Sequence, residues 1–151
     1  MILWRLTRRS HADLRGRGGE FADGRWHTRG RPVVCGASTA ALAALEVRVH
    51  LDLPFDLLPD DYVLMRIVGP DDMAVHTIEP ADLQEGWWTP DCQLCRPIGD
   101  VWFAERASAL LRVPSAIIPF EQNVLINPLH PDSTRLSIVD NTPFAWDSRL
   151  W

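Results

Sequence analysis

Apolar and polar positions alternate over short stretches, and twelve prolines and nine glycines cut the 151-residue chain into small elements. Tyr62–Val68 (YVLMRIV) is a nearly continuous apolar run ended by Gly69-Pro70, which predicts a buried strand. Residues 71–79 leave room for a further strand. Short strands are also expected at Pro32–Cys35, Ser115–Ile118, Val124–Ile126 and Leu136–Val139, with proline and asparagine turns between them. Alanine- and leucine-rich TAALAALEVRVHL predicts a helix capped by Ser38 or Thr39. A second helix is expected from Asp100 to Arg112, with an apolar face of Val101, Phe103, Ala107, Leu110 and Leu111 and a stop at Pro114. Residues 15–31, rich in glycine and arginine, read as an irregular loop. Many strands and two main helices imply an α+β fold, one domain over 1–151.

Hydrophobic residues make up 46% and charged residues 23% of the chain, the composition of a globular domain. No apolar run approaches the roughly 20 residues of a membrane span. Charge interrupts the first residues by Arg5, so they lack the apolar core of a secretory signal, and the cytoplasm is the expected compartment. The net charge of −5 is uneven, because residues 1–35 carry eight arginines against three acidic residues. Every basic residue is arginine. A basic segment on an acidic body predicts a local anion site rather than a nucleic-acid surface, and the guanidinium fork suits phosphate oxygens. An arginine-rich solvated edge is the alternative.

Four places have the residue types for chemistry. In Gly24-Arg25-Trp26-His27 the glycine lets backbone approach a ligand, Arg25 suits a phosphate and Trp26 suits a flat ring. An anchored surface loop is the competing reading, and the spacing is neither a Rossmann fingerprint nor a P-loop. Glu46 is the only charge in its apolar helical stretch, so it needs a partner. Such a carboxylate suits glycosidic-bond cleavage or a structural ion pair. Ser115 lacks a nucleophile elbow and an evident base, which leaves a hydrogen-bonding role toward a substrate or the backbone. The tract Pro119–Pro131 holds Glu121 as a second candidate carboxylate, with Asn127 and His130 as turn-formers. Cys92 and Cys95 form a lone C-x-x-C with Cys35 apart, too few ligands for structural zinc, and the five histidines show no metal spacing. No metal is expected.

Together these segments resemble the RES-domain family of bacterial toxins. The resemblance is carried by Trp4-Arg5-Leu6, Gly24-Arg25-Trp26-His27, Leu45-Glu46-Val47, Pro114-Ser115-Ala116, Asn127-Pro128-Leu129-His130-Pro131 and Phe144–Leu150, in order along nearly the whole chain. It implies a compact ADP-ribosyltransferase-like fold with a mixed, mostly antiparallel sheet, flanking helices and NAD bound as substrate in a central cleft. By the same resemblance Arg25 and Arg5 hold the phosphates, Glu46 assists the ribose chemistry, and Ser115 helps place the nicotinamide ribose. Trp26, His27 and Cys35 join the NAD-binding residues. Cys35 stands where the family usually has tyrosine, and His27 where asparagine is common.

The implied reaction breaks the nicotinamide–ribose bond. ADP-ribose then passes to a target protein, water or phosphate, and a carboxylate near the ribose stabilises positive charge developing there. The implied partner is an Xre-type antitoxin protein, with neither membrane nor direct nucleic-acid binding. A weakened antitoxin-binding module with little NAD turnover is the competing function, and Cys35 is the feature that favours it.

Overall fold

A computed structural model describes residues 1–151. The chain forms strands β1 (Ile2–Arg8), β2 (Val34–Ala37), β3 (Tyr62–Val68), β4 (Val75–Thr77), β5 (Leu110–Pro114), β6 (Gln122–Ile126) and β7 (Ser137–Pro143). Its helices are α1 (Arg17–Phe21), α2 (Ala40–Arg48) and α3 (Arg96–Glu105), joined by short 3₁₀ turns. All seven strands make one sheet in the order β4-β5-β6-β2-β1-β3-β7. Only β4 and β5 run parallel. This is the expected α+β class with a mixed, mostly antiparallel sheet. No helix is long and apolar enough to cross a membrane.

Two-sided burial explains the central strands. Leu110, Leu111, Val113, Val124, Leu125 and Ile126 are all buried. Leu110, Val124 and Ile126 join one apolar cluster with Leu3, Val34, Met65 and Ile67. Leu111, Val113 and Leu125 join another with Trp26, Trp87, Cys95 and Trp102, which packs α3 against the sheet. A third cluster sets Leu42 and Ala43 of α2 against Leu6, Ala37, Tyr62 and Trp146. Trp151 closes it from the C-terminus, its ring 4.0 Å below the Arg48 guanidinium carbon.

Several sequence expectations hold in type. The strand at Tyr62–Val68 has those same bounds, and a strand does lie within 71–79. Val34–Ala37 overlaps the strand expected at Pro32–Cys35, and Ser137–Pro143 the one at Leu136–Val139. Helix α2 starts as read, with Thr39 in extended conformation accepting a hydrogen bond from the Leu42 amide at 3.1 Å. It ends at Arg48, before Leu51.

Others need correction. The helix expected at Asp100–Arg112 is shifted to Arg96–Glu105, because Pro97 opens its first turn and Arg106, at φ 50°, closes it. Leu110 and Leu111 belong to β5 instead. Their adjacent apolar side chains fill opposite faces of a buried strand rather than one face of a helix. The strand expected at Ser115–Ile118 correspondingly ends at Pro114, and residues 115–121 form a hairpin loop closed by the Ser115 amide on the Glu121 carbonyl at 3.0 Å. The stretch 15–31 contains helix α1. Strand β1 has no counterpart among the expected elements, yet it pairs with β3 at seven consecutive positions.

Candidate active site

A cleft of about 970 Å³ opens where α2, the loop before β2 and the segment before α3 meet the centre of the sheet. Strands β1 and β2 pair only at Trp4 and Ala37. Beside that bridge, Arg5 Nη1 donates to the Cys35 carbonyl at 2.9 Å. At Gly36 an added Cβ would lie 3.0 Å from the Trp4 carbonyl, so the two backbones approach closely. Helix α2 turns Ala43, Glu46 and Val47 toward the cleft, the i, i+3, i+4 stripe of one helical face, and Val49 and His50 line it just past the helix end.

The Glu46 carboxylate is held through a single oxygen. Its Oε1 accepts from the Ser115 hydroxyl at 2.9 Å and also from the Asn123 side-chain amide. Ser115 is 1% exposed, and its Oγ in turn accepts from the amides of Ile117 and Ile118, each at 3.1 Å. These bonds orient the hydroxyl proton onto Glu46. Of this trio, Glu46 and Asn123 line the cleft and Ser115 stands behind them.

Three arginines and three carboxylates face the cleft, Arg5, Arg25 and Arg96 against Asp23, Glu46 and Asp91. Arg96 is paired with Asp23 at 3.7 Å, whereas Arg5 and Arg25 form no salt bridge. Burial pulls the Arg5 guanidinium below the ordinary arginine value, against the opposing pull of Cys35 and Asp13. Its buried Nε has no hydrogen-bond partner. A desolvated cation with unused donors on a cleft wall calls for an anion. Arg25 uses Nη1 to hold the carbonyls of Trp87 and Thr89, at 2.7 and 3.0 Å, and this braces the wall that presents Trp88.

The remaining expected residues divide between cleft and core. Trp26 touches the cleft but is almost wholly buried, tilted against Trp87 with ring centroids 6.3 Å apart. The half-exposed aromatic on the cleft is Trp88, which the sequence reading passed over. Cys35 is exposed to the cleft, and the surrounding walls push its thiol pKa up, with Arg5 opposing and Glu46 adding. All three cysteines are free. Burial beside Cys92 pushes Cys95 up to about 11. The second candidate carboxylate, Glu121, lies outside the cleft lining and accepts from the Thr39 hydroxyl at the start of α2. Asn127 and His130 are the turn-formers expected, bonding the Leu129 and Asp132 amides.

His27 is 6% exposed, with its Nδ1 lacking a partner. Desolvation pulls its pKa below 6.5, while the Thr28 backbone, Asp100 and Asp23 oppose that pull. The unfolded chain therefore binds this proton more readily, so His27 lowers stability as pH falls from about 6.5 toward its folded pKa. We expect denaturant unfolding to show stability falling by up to about 1.4 kcal/mol per pH unit there. His27→Asn should flatten that slope, and an unchanged slope would mean His27 is not held neutral.

Comparison with known proteins decides the family. The RES domain family model matches residues 2–147. The chain belongs to the RES-domain family. A relative from Pseudomonas putida named "Toxin Res" is 42% identical over 153 residues, covering 100% of both chains. A relative from Sphingobium named "Prs ADP-ribosylating toxin" is 36% identical, covering 91% of this chain and 86% of its own. Among solved structures, the M. tuberculosis MbcT–MbcA toxin–antitoxin complex includes a chain that superimposes with a TM-score of 0.80 at 18% identity, covering 95% of this chain and 84% of that one. This likeness shows that the two chains share a fold.

Proposed function

We propose that this RES-domain protein is the toxin of a toxin–antitoxin pair and consumes NAD by cleaving its nicotinamide–ribose bond. The observation that carries this reading is Glu46, clamped through Oε1 on the wall of a cleft that also holds the unpaired Arg5 and Arg25. The cleft volume lies at the upper end of the roughly 300–1,000 Å³ of ligand pockets, room suited to a dinucleotide. The two guanidiniums, neither of them in a salt bridge, suit its pyrophosphate, and the half-exposed Trp88 offers a face to one of its rings. Relatives named as toxins, one of them ADP-ribosylating, support the same reading.

NAD supplies the leaving group, a cationic nicotinamide that departs neutral with the electron pair of the broken bond and needs no general acid. Arg5 and Arg25 hold the phosphates and so orient the reacting bond. Glu46 lies where its charge and a hydrogen bond to a ribose hydroxyl favour the positive charge that develops. Ser115 acts behind Glu46, holding it rather than touching the substrate. The acceptor, a protein side chain, water or phosphate, forms the new bond to the ribose carbon; water or a side chain releases a proton in doing so. An antitoxin that covers the cleft would silence the toxin in its own cell.

The direct test incubates the purified chain with NAD, with and without phosphate, and follows free nicotinamide. Release establishes consumption, and phosphate dependence separates phosphorolysis from hydrolysis. Arg5→Ala and Arg25→Ala should each raise KM about tenfold or more, the loss of one charge-assisted contact of about 1.5–3 kcal/mol. Absence of release, together with no labelled protein after exposure of a lysate to labelled NAD, would overturn the proposal and leave the antitoxin-binding module.

A further inference from the structure

Asn123 lies on β6, opposite Ala37 of β2 and Val113 of β5, and lines the cleft beside Glu46. Its Nδ2 donates to Oε1 of Glu46, the same oxygen that accepts the Ser115 hydroxyl. Oε2 receives no hydrogen bond from the protein. We propose that Asn123 is a positioning residue that sets which oxygen of Glu46 is offered to the substrate. This rests on the NAD reading for what the substrate is, but the placement of the carboxylate does not.

Three features carry the inference. The two donors come from opposite sides of one hairpin, the β5 end and β6, so together they stop the carboxylate from rotating. The orientation of the amide is set by Glu46, because a flipped amide would aim Oδ1 at a carboxylate. In the orientation that results, Oδ1 is buried without a hydrogen-bond partner. A buried unpartnered carbonyl is unfavourable, and an apolar side chain would fill the space without it. The amide is thus explained by the N–H it places on Glu46, which keeps Oε2 free in the cleft to accept a substrate hydroxyl.

The test compares Asn123→Asp and Asn123→Ala with the parent chain. Asn123→Ala should lower kcat for nicotinamide release about 10- to 100-fold, with KM within about threefold, at every pH from 5 to 8. Asn123→Asp should match that loss at neutral pH but recover as pH falls, because a proton shared by the two carboxyls restores the missing donor. Without NAD, carbon-13 NMR of the Asn123→Asp variant should show two carboxyls titrating as a coupled pair, one above the usual carboxylate range. Coupled titration supports the placement even if the parent chain releases no nicotinamide, an outcome that would sink the NAD reading alone. Independent titration of the two carboxyls, or an Asn123→Asp pH profile that follows the parent's, overturns the inference.

Discussion

Glu46→Gln is expected to lower kcat for NAD cleavage by about 10²- to 10³-fold while leaving KM within a few-fold. The amide keeps the shape of the side chain, and its oxygen can still accept from Ser115 and Asn123, so the clamp and the fold persist. What disappears is the negative charge that the proposed mechanism sets against the ribose. In a cleft walled by protein that charge acts through a lower dielectric than in water, and its benefit grows only as positive charge builds on the reacting carbon. The loss should therefore fall on kcat. In cells, the same variant should relieve growth arrest. Turnover within tenfold of the parent would remove Glu46 from the chemistry, even with the family membership intact. Ser115→Ala should show a milder loss in the same parameter, since Asn123 still holds Oε1.

Gly99→Ala should produce the largest loss of stability from a single methyl group, more than about 3 kcal/mol. Helix α3 meets the Gly24–Thr28 loop by direct backbone contact. An added Cβ at Gly99 would lie 1.8 Å from the Trp26 carbonyl oxygen and 2.9 Å from its carbon. Backbone rather than a flexible side chain stands in the way, so α3 and the loop must separate. That separation strains the bonds that tie them, Asp100 to the Thr28 amide at 2.9 Å and Arg96 Nε to the Gly24 carbonyl at 3.0 Å. Thermal unfolding should show Tm lower by roughly 6–12 °C at this chain size. Because Arg25 and His27 sit in the displaced loop, NAD affinity should fall as well. A Tm within 2 °C of the parent would mean that the close contact is relieved cheaply.

The two variants separate the layers of the site. In the proposed reaction Glu46 acts on the substrate, while Gly99 lets a helix come near enough for the loop bearing Arg25 to form one wall of the cleft. Cys35 belongs to neither group. It is a small thiol on the cleft whose pKa desolvation pushes up, with Arg5 beside it bonded to its carbonyl.

Local patterning accounts for much of the architecture. Thr39 before an alanine-rich run specifies the start of α2, and Tyr62–Val68 specifies β3 to the residue, because capping and burial on both faces are encoded within a few neighbouring positions. The isolated charge of Glu46 in an apolar helix likewise announces a residue that must find partners, and the motifs from Trp4 to Leu150 identify the family. Long-range pairing accounts for the rest. Leu110-Leu111 suits a helix until β6 and β4 pair along its two edges and the two face clusters bury it. The arginine-broken stretch at Ile2–Arg8 becomes a strand only when β3 pairs along it. Asn123 carries no signal of its own, since an asparagine before an apolar strand reads as a turn residue. Its meaning comes from the register that sets it opposite Ala37 and Val113, within reach of a carboxylate 77 positions earlier. Periodicity records which face a residue prefers, but hydrogen bonds between residues distant in sequence depend on how strands pair and helices dock, and those distances exist only after folding.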